Sequence, residues 1–453
     1  MTNITKIISH AIKQFQPGAE DIEELTNIAT EIKGLVSHYL SPKITNVVFG
    51  GSFAKGTWLK DDVDIDIFIK IDRRVPDREF EILGKQIGLQ SLKGCKPYLR
   101  YSDHPYVEAL MNGYRINIVP CYDVAKGKWL SAADRSPFHT DYVKKNLNND
   151  QRNHVRLLKK FLKSSGVYGA DIATGGFSGY VAEIMILKYG TFGSVLQAIS
   201  TIRAENTLIS LGKPVEFNQP DFQSQLIIID PIDHRRNLGT AISPESVGKF
   251  ILAARKFLAE PSFDFFIKKR KKISRVYGSL YPNLLIVEFR YKMRSPDVIW
   301  GQLKRSLKAI SRQLDLANFK VIRSISTTDE KKKAVLAFLL ESATVPSYTQ
   351  KNGPKIFMRR ETDNFISRNY DKSLILWLDS EMRVNGLVKR KITNAKHYLK
   401  LLLTERIEYT GITKGLVGDI QKSFRIYTGN NEELKGIAKH AVKDLVASDQ
   451  HIF

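Results

Sequence analysis

The chain has 453 residues, which at roughly 150 residues per domain predicts about three domains rather than one. Lysine and arginine outnumber aspartate and glutamate by 70 to 47, and the net charge of +23 favours a polyanionic partner such as nucleic acid. With 43% hydrophobic residues the composition excludes a disordered basic tail or a fibre, and apolar runs such as 226–229 are far below the ~18 residues that span a bilayer.

Two further features predict where the protein works. The start of the chain, with Thr2 and Asn3, lacks a signal-peptide core, and neither a lipid-anchor motif nor a basic amphipathic helix points to a membrane. Cys95 and Cys121 are too few for a disulfide framework or a four-thiolate zinc site, so they are expected to be buried, reduced thiols. The sequence therefore predicts a cytoplasmic protein without a membrane partner.

The first long helix is predicted between residues 22 and 39, where apolar residues recur every three or four positions. Its expected buried stripe consists of Ile22, Leu25, Ile28, Ile32, Leu35, Val36 and Tyr39. Ser41 and Pro42 end this helix, residues 44–49 are typical of a strand, and a glycine-rich turn then leads into a short helix.

The strand at residues 63–69 alternates apolar and acidic side chains. Because successive side chains point to opposite faces, its valine and isoleucines face a core, and Asp64 and Asp66 project together from the other face. Two carboxylates about 7 Å apart on one face repel each other, so the pair predicts a divalent cation between them. The alternative is an exposed edge strand with solubilising carboxylates.

The glycine-rich turn before this strand suits a phosphate group. Gly50 and Gly51 allow the backbone to approach a ligand closely, and Ser52 with the following amides can hold phosphate oxygens. A Walker A loop is excluded, because Gly56 stands where that motif requires a lysine before Thr57.

Taken together, the segments 50–52, 57–59 and 64–66 resemble the nucleotidyltransferase signature of the DNA polymerase beta superfamily. Later segments narrow the resemblance to the archaeal-type (class I) CCA-adding enzymes: 104–108, 118–122, 134–139, 176–180 and 230–237. The resemblance is specific over about residues 45–260. It implies template-independent addition of C, C and A to the 3′ end of tRNA from CTP and ATP. It also implies two magnesium ions (Mg²⁺), release of pyrophosphate, and a homodimer.

The resemblance also implies roles for single residues. Asp64 and Asp66 would hold the metals, and Arg236 would read the edge of the incoming base, the alternative being plain surface charge. Residues expected to bind the triphosphate are Gly51, Ser52, Lys55, His139, Lys159 and Tyr168. Lys159 lies on a helix whose apolar side would leave its ammonium free for the triphosphate, and His139 has the alternative of a structural hydrogen bond.

One position departs from the family pattern. The third catalytic carboxylate of the family falls on Asn117, whose amide oxygen can coordinate a metal but brings no negative charge. The Asn112-Gly113 dipeptide predicts a two-residue hairpin turn that sets Glu108 opposite Asn117, where it could supply the missing charge. Three interpretations stay open: a natural site compensated by Glu108, a deliberately inactivated protein, or a weak enzyme.

The predicted fold is multidomain α+β. It comprises a polymerase-beta-like palm of mixed sheet and helices (1–142), a helical neck for nucleotide and base recognition (143–258), an α+β body (259–344), an α+β tail at the tRNA elbow (345–405) and a segment returning to the body (406–453). Residues 345–355 are expected to separate body from tail, with a tail helix at 395–403 and a final helix at 431–447. Basic runs at 268–272, 331–333 and 389–391 predict a phosphate-contacting surface.

Two other functions remain open. A poly(A)- or oligoadenylate-type nucleotidyltransferase would share the chemistry and differ in nucleotide choice. A catalytically impaired tRNA-binding homologue would follow from Asn117, and it predicts salt-sensitive tRNA binding without turnover.

Overall fold

The fold is taken from a computed structural model that describes residues 3–101, 104–203, 208–211, 224–267, 275–429, 434–449 and 452. The chain divides into two compact units, Met1–Arg270 with Asp449–Phe453, and Lys271–Ser448. Within the described residues, none of the helices combines the length and apolar character of a membrane span. The basic run predicted at 268–272 lies outside the described residues.

The first unit contains a mixed five-stranded sheet, the amino-terminal sheet. Its strands are β1 (Ile44–Gly50), β2 (Asp64–Asp72), β3 (Tyr98–Tyr101), β4 (Pro105–Met111) and β5 (Tyr114–Asp123). Their spatial order is β1-β2-β5-β4-β3, with β2 and β5 parallel and the other neighbours antiparallel. Asn112 and Gly113 join β4 to β5 with φ of 51° and 86°, as the predicted two-residue turn requires.

Strand β2 has the predicted two faces. Ile65, Ile67 and Ile69 are fully buried, and they pack with helices α2 (Ala19–Ser37) and α4 (Asp77–Ser91) in one hydrophobic core. The opposite face carries the two aspartates. The alternation therefore reflects a sheet that is covered on one side and holds polar groups on the other.

The predicted stripe of helix α2 is correct in its centre and wrong at two positions. Leu25, Ile28 and Ile32 are buried, whereas Ile22 is 49% and Leu35 42% exposed. Leu35 lies about 100° around the helix from the neighbouring buried Val36, and Ile22 lies at the amino-terminal end of the stripe.

The rest of the first unit is a helical layer: α1 (Asn3–Phe15), α5 (Arg135–Asn146), α6 (Asn149–Ser164), α7 (Gly179–Tyr189), α8 (Phe192–Ser200) and α9 (Pro244–Ala259). Two short strands, β6 (Leu208–Ile209) and β7 (Ile227–Ile228), accompany it, and α3 (Gly51–Lys55) follows β1 directly. Helix α1 was expected in the palm but packs on this helical core, because Ile4, Ile8 and Ile12 form one apolar face.

The second unit contains a four-stranded sheet in the order β14-β8-β10-β9, buried on both faces. Its strands are β8 (Leu284–Arg290), β9 (Val321–Thr328), β10 (Lys333–Leu340) and β14 (Arg425–Thr428). One face is covered by α10 (Pro296–Leu316), α12 (Ala395–Glu405) and α13 (Lys414–Ser423), and the other by α14 (Gly436–Val446). Helix α14 begins later than predicted, and residues 431–433 lie outside the described residues.

Two expectations for this unit are corrected. Helix α12 was placed in the tail, but Leu399, Leu402 and Leu403 are buried in the core of the four-stranded sheet. Residues 345–355 were read as a separator, but β11 (Tyr348–Lys355) forms there and joins a three-stranded sheet. That sheet has the order β11-β13-β12 and includes β12 (Ser373–Leu378) and β13 (Arg383–Lys389), with α11 (Arg359–Asn369) beside it.

Strand β11 tolerates its proline and glycine because it is an edge strand with an irregular end. Its pairing with β13 shifts register between Asn352 and Lys355, around Pro354. A Cβ on Gly353 would lie 2.4 Å from the carbonyl oxygen of Val384, so a residue without a side chain is required there.

Candidate active site

The two acidic residues of β2 lie together on its polar face. In the pairing of β2 with β5, Asp66 is opposite Asn117 and Asp64 is opposite Arg115. The glycine turn abuts this pair, because a Cβ on Gly51 would come within 1.7 Å of Asp66 Oδ2. Gly51 also has φ of 61°, so both its backbone and its missing side chain are needed there.

The surroundings disfavour the charged forms of both carboxylates. Burial raises the pKa of Asp66, against a hydrogen bond from Asn117 and the charge of Lys55. Burial also raises the pKa of Asp64, where Arg115 opposes the shift and the charge of Asp66 adds to it. Because a cation would relieve both effects, this face is suited to bind one.

Asn117 supports the fit of a divalent metal at this face. Its Nδ2 donates to Asp66 Oδ1 over 2.9 Å, and its own Oδ1 is buried without a hydrogen-bond partner. Together with Asp64, this gives two carboxylates and one unpaired amide oxygen, the hard oxygen donors that magnesium prefers. Among the described residues no group of three or more His, Cys, Asp or Glu is placed to hold a metal.

Arg115 and Glu108 modify the charge of this site. Arg115 Nη1 lies 3.1 Å from Asp64 Oδ1, so a guanidinium competes with a metal for that carboxylate. Glu108 is opposite Asn117, as the hairpin predicted. It accepts a hydrogen bond from the Tyr98 hydroxyl, and one carboxylate oxygen lies 3.4 Å from Arg100 Nε. Its charge is therefore already shared with Arg100.

Lys159 does not point freely outward, and that part of the expectation is wrong. Its side chain is 2% exposed, and its ammonium donates to the carbonyl oxygen and Oγ1 of Thr57, both at 3.1 Å, and to Glu183 Oε1 at 3.3 Å. All three N–H bonds of the ammonium therefore have acceptors. Burial lowers the pKa of Lys159, although Glu183 opposes the shift.

Glu183 is the centre of this buried cluster, and the sequence analysis missed it. Lys55 donates to its Oε2 over 2.8 Å and the Thr57 hydroxyl to its Oε1 over 2.6 Å. Burial acts to raise the pKa of Glu183, but Lys55 and Lys159 outweigh it and hold the pKa below its usual value. The available signal was one glutamate in the otherwise apolar middle of the segment that forms α7.

Asp230 is a second residue that was missed, although it begins a segment used for the resemblance. Its Oδ2 lies 2.9 Å from His139 Nε2 and 3.4 Å from Arg236 Nη1. Its Oδ1 accepts from the Tyr180 hydroxyl at 3.2 Å, and the Tyr180 ring stacks on His139. His139 thus makes the hydrogen bond of its structural alternative, and Arg236 stays 45% exposed at the side chain.

Ser52 and Tyr168 are the remaining residues that were predicted to bind the triphosphate. Ser52 is half-buried in the first turn of α3. Tyr168 is half-buried, and its hydroxyl would be 3.0 Å from a Cβ on Gly179, at the start of α7. Gly179 also packs against the end of the Lys159 side chain, so its lack of a side chain makes room for both.

Three family models match the chain, each over a different segment. The model described as "Nucleotidyltransferase domain" matches residues 29–146, and "tRNA nucleotidyltransferase, second domain" matches 153–267. The third, "CCA-adding enzyme, C-terminal domain", matches residues 282–429.

Curated relatives cover most of the chain. A CCA-adding enzyme of Pyrobaculum islandicum is 32% identical over 406 residues, 89% of this chain and 94% of the relative. The CCA-adding enzyme of Pyrobaculum aerophilum is 35% identical over 408 residues, 89% of this chain and 94% of the relative. That of Saccharolobus shibatae is 35% identical over 362 residues, 79% of this chain and 84% of the relative. Among solved structures, the Cid1 poly(U) polymerase with bound 3′-dATP shares 14% identity over 58% of this chain and 98% of its own, at a TM-score of 0.47.

Proposed function

The chain belongs to the archaeal-type CCA-adding enzymes, and from that membership we propose how its residues divide the work of nucleotidyl transfer. The chain is a tRNA nucleotidyltransferase that adds C, C and A to the 3′ end of tRNA. The observation that carries the assignment of its reaction centre is the pair Asp64 and Asp66 on one face of β2, directly against Gly51.

The family uses a divalent metal, which we take to be Mg²⁺. Asp64, Asp66 and the Oδ1 of Asn117 are the residues that would hold it. When bound in a two-metal arrangement, magnesium supplies charge stabilisation for attack by the RNA 3′-hydroxyl and for release of pyrophosphate. Arg115 would have to leave Asp64 when a metal binds, and its guanidinium would then be available to RNA phosphate.

The triphosphate is proposed to lie between the glycine turn and the Glu183 cluster. The missing side chain of Gly51 lets the backbone of the turn lie directly against Asp66, and the Ser52 hydroxyl is proposed to hold the phosphate oxygens. The two ammonium groups of Lys55 and Lys159 exceed the single carboxylate of Glu183, so the cluster offers one net positive charge. We assign Lys159 to holding Thr57 and Glu183 in place rather than to a free contact.

Arg236 is proposed to read the Watson–Crick edge of the incoming C or A, with His139 and Tyr168 nearer the triphosphate. Asp230 fixes one end of the Arg236 guanidinium and leaves the rest of its planar fork exposed. Because Asp230 also holds His139, one buried carboxylate positions both residues.

Beyond the reaction centre, the finer assignments are proposals. The amino-terminal sheet would be the palm, the helical layer the neck, the four-stranded sheet the body and the three-stranded sheet the tail that contacts the tRNA elbow. A homodimer and a cytoplasmic location are also proposed, and sedimentation and cell fractionation test them.

Labelled-nucleotide addition to a tRNA that ends at the discriminator base tests this function. CTP alone should yield two added cytidines, and CTP with ATP the complete CCA end. Addition of adenosine without cytidine would instead indicate a poly(A)-type transferase. Salt-sensitive tRNA binding with no addition at any Mg²⁺ concentration would indicate the impaired homologue that Asn117 suggests.

A further inference from the structure

A cavity of about 540 Å³ borders helix α3, and none of the residues assigned to the active site lines it. Its wall includes Phe53, Ala54 and Gly56 from α3 and the turn after it, whereas Gly51 at the other end of α3 abuts Asp66. We call it the rear cavity. The residues that give it its chemical character are Phe49, Phe53, Trp58, Lys144, Arg152 and Arg156.

The rear cavity is positively charged. Lys144, Arg152 and Arg156 line it, and no aspartate or glutamate is among the lining residues. Arg152 and Arg156 lie one turn apart on α6, where two like charges destabilise a helix. Burial lowers the pKa of Arg156 to about 10, and the charge of Arg152 adds to this shift. An anion in the cavity would relieve this repulsion.

The donors of the two arginines differ in their availability. The Arg156 guanidinium is hydrogen-bonded within the protein: it donates to the carbonyl oxygens of Trp58 and Gly56 and to Asn153 Oδ1. Arg152 donates from Nη1 to Asn149 Oδ1, but its Nε is buried and makes no hydrogen bond. A buried donor without an acceptor is costly, so Arg152, unlike Arg156, has a hydrogen-bonding group that is still unsatisfied.

The lining of the rear cavity is also aromatic, which suits a planar group. Phe49 and Phe53 are half-buried and meet edge to face at 5.2 Å, and Trp58 lies beside them. Ile22, exposed although it continues the apolar stripe of α2, also lines the cavity. The volume falls in the range of pockets that hold one small ligand of nucleotide size.

We propose that the rear cavity binds one nucleoside phosphate, with the base against the aromatic wall and the phosphate at Lys144 and Arg152. Aromatic side chains that stack a base beside cations that contact phosphate are the combination by which proteins hold each nucleotide of a single strand. This chemistry has two sources for an enzyme of this kind: a free nucleotide, or one nucleotide of the RNA substrate. The inference is independent of the reaction centre, because the two share no residue.

Lys144 and Lys145 provide a matched pair of variants. They are adjacent, exposed residues in the last turn of α5, and only Lys144 lines the rear cavity. We therefore compare Lys144→Gln and Arg152→Gln with Lys145→Gln, which carries the same change of charge. Calorimetric titrations use AMP in one arm and tRNA lacking its CCA end in the other, both in EDTA so that no addition occurs.

If free nucleotides occupy the cavity, Lys144→Gln and Arg152→Gln weaken AMP binding about tenfold or more, as expected for loss of a charged hydrogen bond, and Lys145→Gln matches the wild type. If RNA occupies it, both cavity variants weaken tRNA binding similarly, and the slope of log affinity against log salt falls by about 1. The proposal is overturned if both variants match Lys145→Gln in both arms. Asp66→Ala should abolish CCA addition and leave AMP binding at the cavity intact, so a failed cavity and a failed reaction centre are distinguishable.

Discussion

The side chain of Asn117 donates a hydrogen bond of 2.9 Å to Asp66 Oδ1, while its own Oδ1 is buried without a hydrogen-bond partner. The bond orients the amide so that its second polar atom is left for another ligand. The site nevertheless has two carboxylates where the family resemblance implies three, and Arg115 offsets part of the charge of Asp64. Metal affinity is therefore the property in which this enzyme should differ most from a three-carboxylate site.

Asn117→Asp should lower the Mg²⁺ concentration required for half-maximal CCA addition by about tenfold or more, because a charge close to a bound cation contributes over 1 kcal/mol even at high effective dielectric. Addition rates across a Mg²⁺ series, with direct Mn²⁺ titration as an independent readout, measure the effect. Asn112→Asp is the control, since it makes the same change in the exposed turn of the same hairpin. Equal Mg²⁺ requirements in the two variants would show that the third position does not contribute to metal binding.

Glu183→Gln should destabilise the protein by about 3–5 kcal/mol, because it leaves two buried ammonium groups without their shared carboxylate. Urea unfolding of the variant against the wild type measures this loss. Glu245→Gln is the control: its carboxylate pairs with Lys249 but is 74% exposed, so little change is expected. Equal losses in the two variants would contradict the role given to the buried cluster.

The amino-terminal sheet shows what the sequence could predict. The alternation around Asp64, the hairpin turn and the pairing of Glu108 with Asn117 all follow from local rules, namely the two-residue period of strands and the geometry of an Asn-Gly turn. These features depend on residues close in sequence, so a single chain is enough to predict them.

The Glu183 cluster shows what the sequence could not predict. Lys55 and Glu183 are 128 residues apart, and nothing local indicates that they meet. The free ammonium expected for Lys159 was wrong for the same reason, since its partner lies on another helix. Tertiary contacts also decided the places of α1 and α12, whose apolar faces identify a buried helix without identifying the core that buries it.

The free energy of unfolding of the protein should fall as the pH drops below about 6.5, the ordinary pKa of histidine. Burial lowers the pKa of His139, although Asp230 opposes the shift. Between 6.5 and that lowered value the unfolded chain binds a proton that the folded one does not, so stability rises with pH in this window. The carboxyl of Asp230, whose pKa is held below its usual value despite burial, loses its contribution only at lower pH.

Urea unfolding between pH 5 and pH 7.5 tests this linkage with His139→Asn. The free energy of unfolding should depend less steeply on pH in the variant than in the wild type. Burial also lowers the pKa of His154, so part of the slope should remain until that residue is replaced too. A slope unchanged by His139→Asn would contradict the assignment.

Asp230→Asn should relax nucleotide choice, because the exposed guanidinium of Arg236 loses the charge that anchors it. We expect UTP incorporation relative to CTP to rise about tenfold or more, the size of one charged hydrogen bond. Competition assays with both nucleotides measure it. Asp233→Asn, which removes the partner of Arg135 in the same loop, is the control and should leave the ratio unchanged.

The most direct measurement is CCA addition to a truncated tRNA by Asp66→Asn beside Asp61→Asn. Asp61 precedes the strand, and its carboxylate is 67% exposed and paired with Lys160. We predict that Asp66→Asn loses addition of both cytidine and adenosine while still binding tRNA, and that Asp61→Asn adds the full CCA end. Complete addition by Asp66→Asn would contradict the placement of the reaction centre on β2.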